Sequence, residues 1–213
     1  RYYLEGALEF LDAPGEFYYD KAQGTLKFIP PVGFEISTDT KIYAHSNFHA
    51  ISIIGSSEAV KNFRLSGLDI TGVGKSYNAV YMKNADSIEI YGCRIHDLGG
   101  TGIKGHDILS NTNIEGNEIF NMATGITLVS NVYSDKVSRV SYNIITNNHI
   151  YDLHGSDAGI EVAEAAYNKI SHNRVHGSDR MGIWVYGASL RSQLINSEYY
   201  KEMFGDITED NVY

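Results

Sequence analysis

Five short segments of this chain repeat one another in a readable phase: Asn78-Ala79-Val80-Tyr81, Thr101-Gly102-Ile103-Lys104, Thr124-Gly125-Ile126-Thr127, Ala158-Gly159-Ile160-Glu161 and Met181-Gly182-Ile183-Trp184. Val80 to Ile103, Ile103 to Ile126 and Ile160 to Ile183 are each 23 residues apart, and only Ile126 to Ile160, at 34, departs. A fixed period of about 20–50 residues marks a structural unit stacked on copies of itself. The 11 additional residues of the one long interval mark where that stack carries something extra.

A second phase runs beneath the first, in Arg64–Ile70, Glu89–Ile95, Asn113–Ile119, Ile144–Ile150 and Lys169–Val175. Each copy has an apolar residue, two turn formers and a further apolar residue. Strands this short, one coil apart, must pair in parallel with the copy above rather than fold back as hairpins. The expected class is therefore all-β, a parallel β-helix. Asn117, Asn148 and Asn173 share one phase. They are expected to stack at one bend, in the left-handed conformation that Asn tolerates, each amide bonded to the next.

The rhythm covers residues 48–187, with flanks at 1–47 and 188–213. In the first flank, Glu16–Asp20 and Thr25–Ile29 read as a β-hairpin turning at Gly24 and stopped by Pro30-Pro31. In the second, Leu190, Leu194, Ile195, Tyr199 and Met203 have near-helical spacing and predict a short helix.

The net charge of −9 without a Lys/Arg run argues against a nucleic-acid or anionic-membrane partner, which needs a basic surface to displace counterions. Cys93 is the only cysteine and forms no internal disulfide. No stretch approaches the roughly 18 apolar residues of a membrane span. The chain begins at Arg1 with no charged-then-apolar leader, and reads as a processed or excised piece. The unpaired strand edges of a solenoid end predict missing capping segments or a second copy of the chain.

The stretch Tyr3–Asp20, continued by Gly24-Thr25-Leu26 and Pro30-Pro31, resembles one found in bacterial right-handed parallel β-helix proteins that act on polysaccharides. Among these are glycoside hydrolases similar to families 120 and 141, within the pectin-lyase-like superfamily. The resemblance implies a right-handed solenoid, a plant or algal polysaccharide or oligosaccharide as substrate, and a secreted or periplasmic location.

In each Gly-Ile strand the Ile points inward, so alternation turns the following residue outward. Two external ladders result: Tyr81, Lys104, Thr127, Glu161 and Trp184, then Lys83, His106, Val129, Ala163 and Tyr186. Exposed Trp and Tyr among ionisable groups offer a sugar ring a flat apolar face and polar edges. The alternative is that the segment from Ser189 onward covers Trp184 and Tyr186. About nine of the extra residues fall after the Gly-Ile-Thr strand, around Asp135, Lys136 and Arg139. The turn before Gly-Ile-Glu, with Asp152, His154 and Asp157, is also lengthened. Loops raised on either side of a rigid face form the walls of a cleft.

Glycoside hydrolysis takes two carboxyl groups. Glu161 and Asp157 are the first pair of candidates. Asp179 is the substitute partner, at nearly the phase of Asp157 on the next coil, with Lys104, His106, His154, Arg180, Trp184 and Tyr186 as substrate-binding groups. Two other classes stay open. A polysaccharide lyase would neutralise a uronate and remove its proton with Lys104, His106 or Arg180, and Asp157 and Glu161 would hold a calcium ion. A non-catalytic glycan-binding β-helix would bind without turnover. No other cofactor is expected. A zinc site is not expected either, because His45, His49, His96, His149, His172 and His176 show no short two-ligand spacing on one strand. His149 and His172 read as bend residues satisfied by backbone groups. Gly72-Val73-Gly74-Lys75 is a turn without the glycine spacing of a phosphate loop.

Overall fold

The computed structural model describes residues 7–35, 37–38, 47–130, 140–155 and 158–186. The chain divides into two compact units, Arg1–Tyr43 and Ala44–Tyr213, a boundary a few residues before the one expected at 47. In the first unit Phe17–Asp20 pairs antiparallel with Thr25–Phe28. Gly24 takes the left-handed turn position at φ 63°, and Glu16 accepts the backbone N–H groups of Asp12 and Ala13.

The second unit is the expected parallel solenoid. Its first sheet stacks Ile51–Ile54, Asn78–Asp86, Thr101–Ser110, Thr124–Val129, Ala158–Ala163 and Met181–Tyr186. The second stacks Arg64–Ser66, Glu89–Tyr91, Asn113–Glu115, Ile144–Thr146 and Lys169–Ser171, and the third Asp69–Ile70, Arg94–His96, Glu118–Met122, His149–Leu153 and Arg174–Ser178. Every pairing in these stacks is parallel, and the registers Val80↔Ile103, Ile103↔Ile126, Ile126↔Ile160 and Ile160↔Ile183 reproduce the repeat read from sequence.

The core is the set of inward columns that these registers create. Val80, Ile103, Ile126 and Ile160 line one wall, Ile90, Ile114 and Ile145 the second, and Ile95, Ile119 and Ile150 the third, all wholly buried. Each such side chain contributes about 1.5–3 kcal/mol of transfer free energy. With the lone cysteine unpaired, stacking supplies the cohesion of this unit.

The asparagine ladder exists, with its backbone conformation shifted by one residue. The left-handed position belongs to the preceding residue, Gly116, Asn147 or His172, at φ 65°, 55° and 56°. Asn117 and Asn148 point into the buried corner. There the side-chain oxygen of Asn148 accepts the Asn117 backbone N–H at 3.0 Å, and that of Asn173 accepts the Asn148 N–H at 3.0 Å. Once the chain has bent, the next N–H faces the coil interior and needs a buried acceptor. The same logic builds a second ladder at the corner between the first and second sheets, where Thr112 N–H donates to Asn143 and Asn143 N–H to Asn168. The helix expected near Leu190–Met203 lies outside the described residues.

Candidate functional site

The registers of both ladders are as read, although Thr127 and Ala163, expected outside, are buried. Tyr81, Lys104, Thr127, Glu161 and Trp184 are consecutive register partners, as are Lys83, His106, Val129, Ala163 and Tyr186. Neighbouring rungs are one strand spacing apart, about 4.8 Å. Ser52 and Ile54 add a rung below Tyr81 and Lys83; the first coil lacks the Gly-Ile signature, so this rung was not visible in the repeat.

Glu161 is the best-defined polar group on this face. It is half-buried. Its Oε2 accepts the Thr127 hydroxyl at 3.3 Å from the rung below, and its Oε1 accepts the Tyr186 hydroxyl at 3.1 Å. Two hydroxyl donors fix the plane of the carboxylate instead of letting it sweep through solvent. Trp184 follows on the next rung, with its ring 4.3 Å from that of Tyr186 and tilted by 31°. The carboxylate therefore stands beside an aromatic pair.

The basic end of the face is organised differently. Lys83 is bound to Asp107 at 2.6 Å, and this carboxylate raises the Lys83 pKa. Asp107 sits at φ 61° on a bulge that shifts the register between His106 and Leu109. His106 Nδ1 lies 3.1 Å from Asp107 Oδ1, out of line for a hydrogen bond, and this buried nitrogen has no hydrogen-bond partner among the described residues. Lys104 has no ion-pair partner among the described residues. Its charge reaches His49, a residue sequence reading had set aside. The His49 ring stacks on Tyr81 at 4.6 Å and 9°, and its Nδ1 accepts the Asn78 backbone N–H at 3.0 Å. Burial first, and then the positive Lys104, hold its pKa below the ordinary imidazole value.

The remaining candidates do not stand on these ladders. His154, Asp179 and Arg180 are exposed at the corner between the third and first sheets. Registers Leu153↔Ser178 and Ala158↔Met181 set residues 154–157 of one coil against Asp179 and Arg180 of the next. Asp179 follows Ser178 as His154 follows Leu153, and its N–H donates to Leu153 as that of His154 donates to Met122. Asp157 lies outside the described residues, as do Asp135, Lys136 and Arg139. The nine residues 131–139 separate Ser130 from the short strand Val140–Ser141, which is where the count of inserted residues put them.

The third sheet carries an outer array that the sequence reading did not extract. His96, Phe120, Tyr151 and His176 stack in one column at 5.0, 4.9 and 5.4 Å with rings within 8° of parallel. Beside it run Asp69, Arg94, Glu118, His149 and Arg174. Arg94 bonds Glu118 at 3.3 Å and Asp69 at 3.4 Å, and the Tyr151 hydroxyl donates to Glu118 at 3.0 Å. Reading the residues on either side of the inward Ile70, Ile95, Ile119, Ile150 and Val175 would have shown both columns. The ring faces are spent on one another, so this column acts as a strut and offers a sugar no open face.

His96 Nε2 lies 2.8 Å from Asp69 and its Nδ1 2.7 Å from Asp97. The hydrogen bond to His96 is the main cause that lowers the pKa of each carboxyl, with Arg94 assisting at Asp69 and Asn121 at Asp97. A carboxyl whose folded pKa is depressed contributes stability that is present above its unfolded pKa of about 3.9 and is lost as pH falls through the folded value. Thermal melting across the acid range is expected to show a falling midpoint below about pH 4 that the Asp69→Asn, Asp97→Asn double variant shares less. Parallel decline of the two proteins would refute this. Both carboxyls are about half exposed, so the effect is modest.

Comparison with known proteins adds one positive result. A family model for the right handed beta helix region matches residues 37–198. No curated protein and no solved structure matches the chain.

Proposed function

Because the chain belongs to the right-handed β-helix family, with most of its length matched, we propose that it is a carbohydrate-active protein. We read it as a glycoside hydrolase of a plant or algal polysaccharide, with Glu161 as the central carboxylate. The observation that carries this reading is the oriented Glu161 carboxylate, held by Thr127 and Tyr186 beside the Trp184–Tyr186 pair. Aromatic rings next to a fixed carboxylate are what a pyranose ring and its reacting bond require. Support also comes from the likeness of the first 31 residues to β-helix hydrolases similar to families 120 and 141.

Both oxygens of Glu161 accept hydroxyl hydrogens, an arrangement suited to a carboxylate that attacks the anomeric carbon or takes a proton from water. The proton donor to the leaving oxygen then falls to Asp157, or to Asp179 at the adjoining corner. Lys104, His106, His154 and Arg180 supply polar contacts along the cleft. A polymeric substrate places the protein outside the cytoplasm, in a secreted or periplasmic setting.

One observation favours a second reading. Among the described outward positions of the two ladders, Glu161 is the only carboxylate, which suffices for a non-catalytic glycan-binding surface. The lyase chemistry would rest on Lys104, His106 or Arg180, and Lys83 is committed to Asp107. No three His, Cys, Asp or Glu converge among the described residues, so a calcium ion there would depend on Asp157.

Release of reducing ends from neutral and uronic polysaccharides, with ultraviolet absorbance read in parallel, separates these outcomes. New ends without absorbance are expected. Ends with the absorbance of an unsaturated uronate would replace the hydrolase with a lyase, and saturable binding without new ends would leave a binding module.

A further inference from the structure

We propose that His149 and His176 form a two-point site for a divalent transition-metal ion, copper(II) or nickel(II), clamping two adjacent coils of the third sheet. The pair escapes a search along single strands because the residues are 27 positions apart, on His149–Leu153 and Arg174–Ser178. In a parallel stack those strands are neighbours, with His149 opposite Arg174 and Tyr151 opposite His176.

The two Nε2 atoms are 3.0 Å apart. Among the described residues neither ring bonds a backbone group, the role expected for His149; each bonds the other. With metal–nitrogen bonds of about 2.0–2.1 Å, two imidazoles on one ion are about 2.9 Å apart at a right angle and about 3.3 Å apart at the tetrahedral angle. The observed separation matches the right angle, the preference of tetragonal copper(II) and nickel(II). Chelation replaces the hydrogen bond between the rings, each lone pair turning to about 45° from the line between the two nitrogens when the angle at the metal is a right angle.

Tyr151 holds the rings in place. It lies 4.6 Å from the His149 ring and 5.4 Å from the His176 ring, nearly parallel to the latter, and its own hydroxyl is tied to Glu118. Two prepositioned imidazoles lose little rotamer freedom on chelation, whereas two free surface histidines lose more. No third His, Cys, Asp or Glu joins them among the described residues, so water completes the coordination. The charges facing His149 from its neighbours in register are Glu118, already shared with Arg94 and Tyr151, and Arg174. The second opposes a cation.

The test is titration of the whole chain with nickel(II) or copper(II) in a buffer free of chelating amines, followed by calorimetry and, for copper, electron paramagnetic resonance. One tight equivalent with two coordinated nitrogens is expected. His149→Ala and His176→Gln should each weaken it at least tenfold and leave one nitrogen, and His172→Ala, at an exposed corner, should leave it intact. Arg174→Gln should tighten binding severalfold. Nickel should raise the thermal midpoint of the wild type and not that of His176→Gln, whose circular dichroism verifies its fold. A wild-type copper signal with a single nitrogen, or equal affinity in wild type and His176→Gln, would overturn the site and leave a hydrogen-bonded histidine pair.

Discussion

In the proposed glycoside hydrolase, replacing Glu161 by Gln is expected to slow glycan turnover about 10²–10⁴-fold, the usual cost of deleting a group that transfers a proton in the transition state. Gln keeps the volume, and its amide oxygen still accepts the Tyr186 hydroxyl now bonded to Oε1, so the fold and the Trp184–Tyr186 pair persist. What it loses is the negative charge that attacks or deprotonates. The variant should bind oligosaccharide with wild-type affinity and fail to turn it over. Binding by calorimetry and reducing-end release on the same preparations therefore measure two separate properties. Undiminished turnover in Glu161→Gln would remove Glu161 from catalysis and shift the chemistry to Asp179 or Asp157. The Glu161→Gln, Asp179→Asn double variant then tells whether Asp179 acts with it. If the two losses do not add, the carboxylates act as one unit.

The solenoid was legible because its cause is local and repeated. An inward Ile or Val with an outward neighbour recurs at one phase in Val80, Ile103, Ile126 and Ile160, and parallel stacking turns equal phase into spatial adjacency. The same property made both ladders readable before any coordinate. The shift in the asparagine column has a related cause. Sequence shows which residue type recurs at a corner, whereas which of two consecutive residues takes positive φ depends on where the next N–H must find an acceptor, and that choice fell on His172 rather than Asn173. Contacts that cross phase were not legible. His49 precedes the first strand, and its stacking on Tyr81 belongs to no period. His149 and His176 meet on a diagonal between two columns. The corners of successive coils differ in length, with four residues between Leu153 and Ala158 and two between Ser178 and Met181, a difference that counting from Ile to Ile does not apportion.

Gly125→Ala is expected to destabilise the protein by about 3 kcal/mol or more, whereas Gly182→Ala, the same substitution in the same repeat, is expected to change stability by less than about 1 kcal/mol. None of the repeat glycines has a left-handed backbone, so their freedom of φ is not the reason for them. The reason is contact between coils. A Cβ on Gly102 would lie 2.7 Å from the carbonyl oxygen of Gly125, one on Gly125 would meet that of Gly159, and one on Gly159 would lie 2.7 Å from that of Gly182. The obstructing atom is backbone, for Gly102 and Gly125 in a strand paired on both sides, so it cannot swing aside as a side chain does. At Gly125 the Ile150 methyl, 2.7 Å away, crowds the same space. At Gly182 the nearest atom among the described residues is a Val175 methyl at 3.8 Å, an ordinary contact, and the loss of unfolded-state freedom favours the folded chain. Urea unfolding of the two variants isolates the effect, since composition and position in the repeat are shared. Equal midpoints would mean that glycine-over-glycine packing does not set the spacing of the coils. A midpoint lowered only in Gly125→Ala would show that the Gly of a Gly-Ile pair is required where the carbonyl of the next coil's glycine lies over it, leaving the residue after the Ile, such as Glu161, free to carry chemistry.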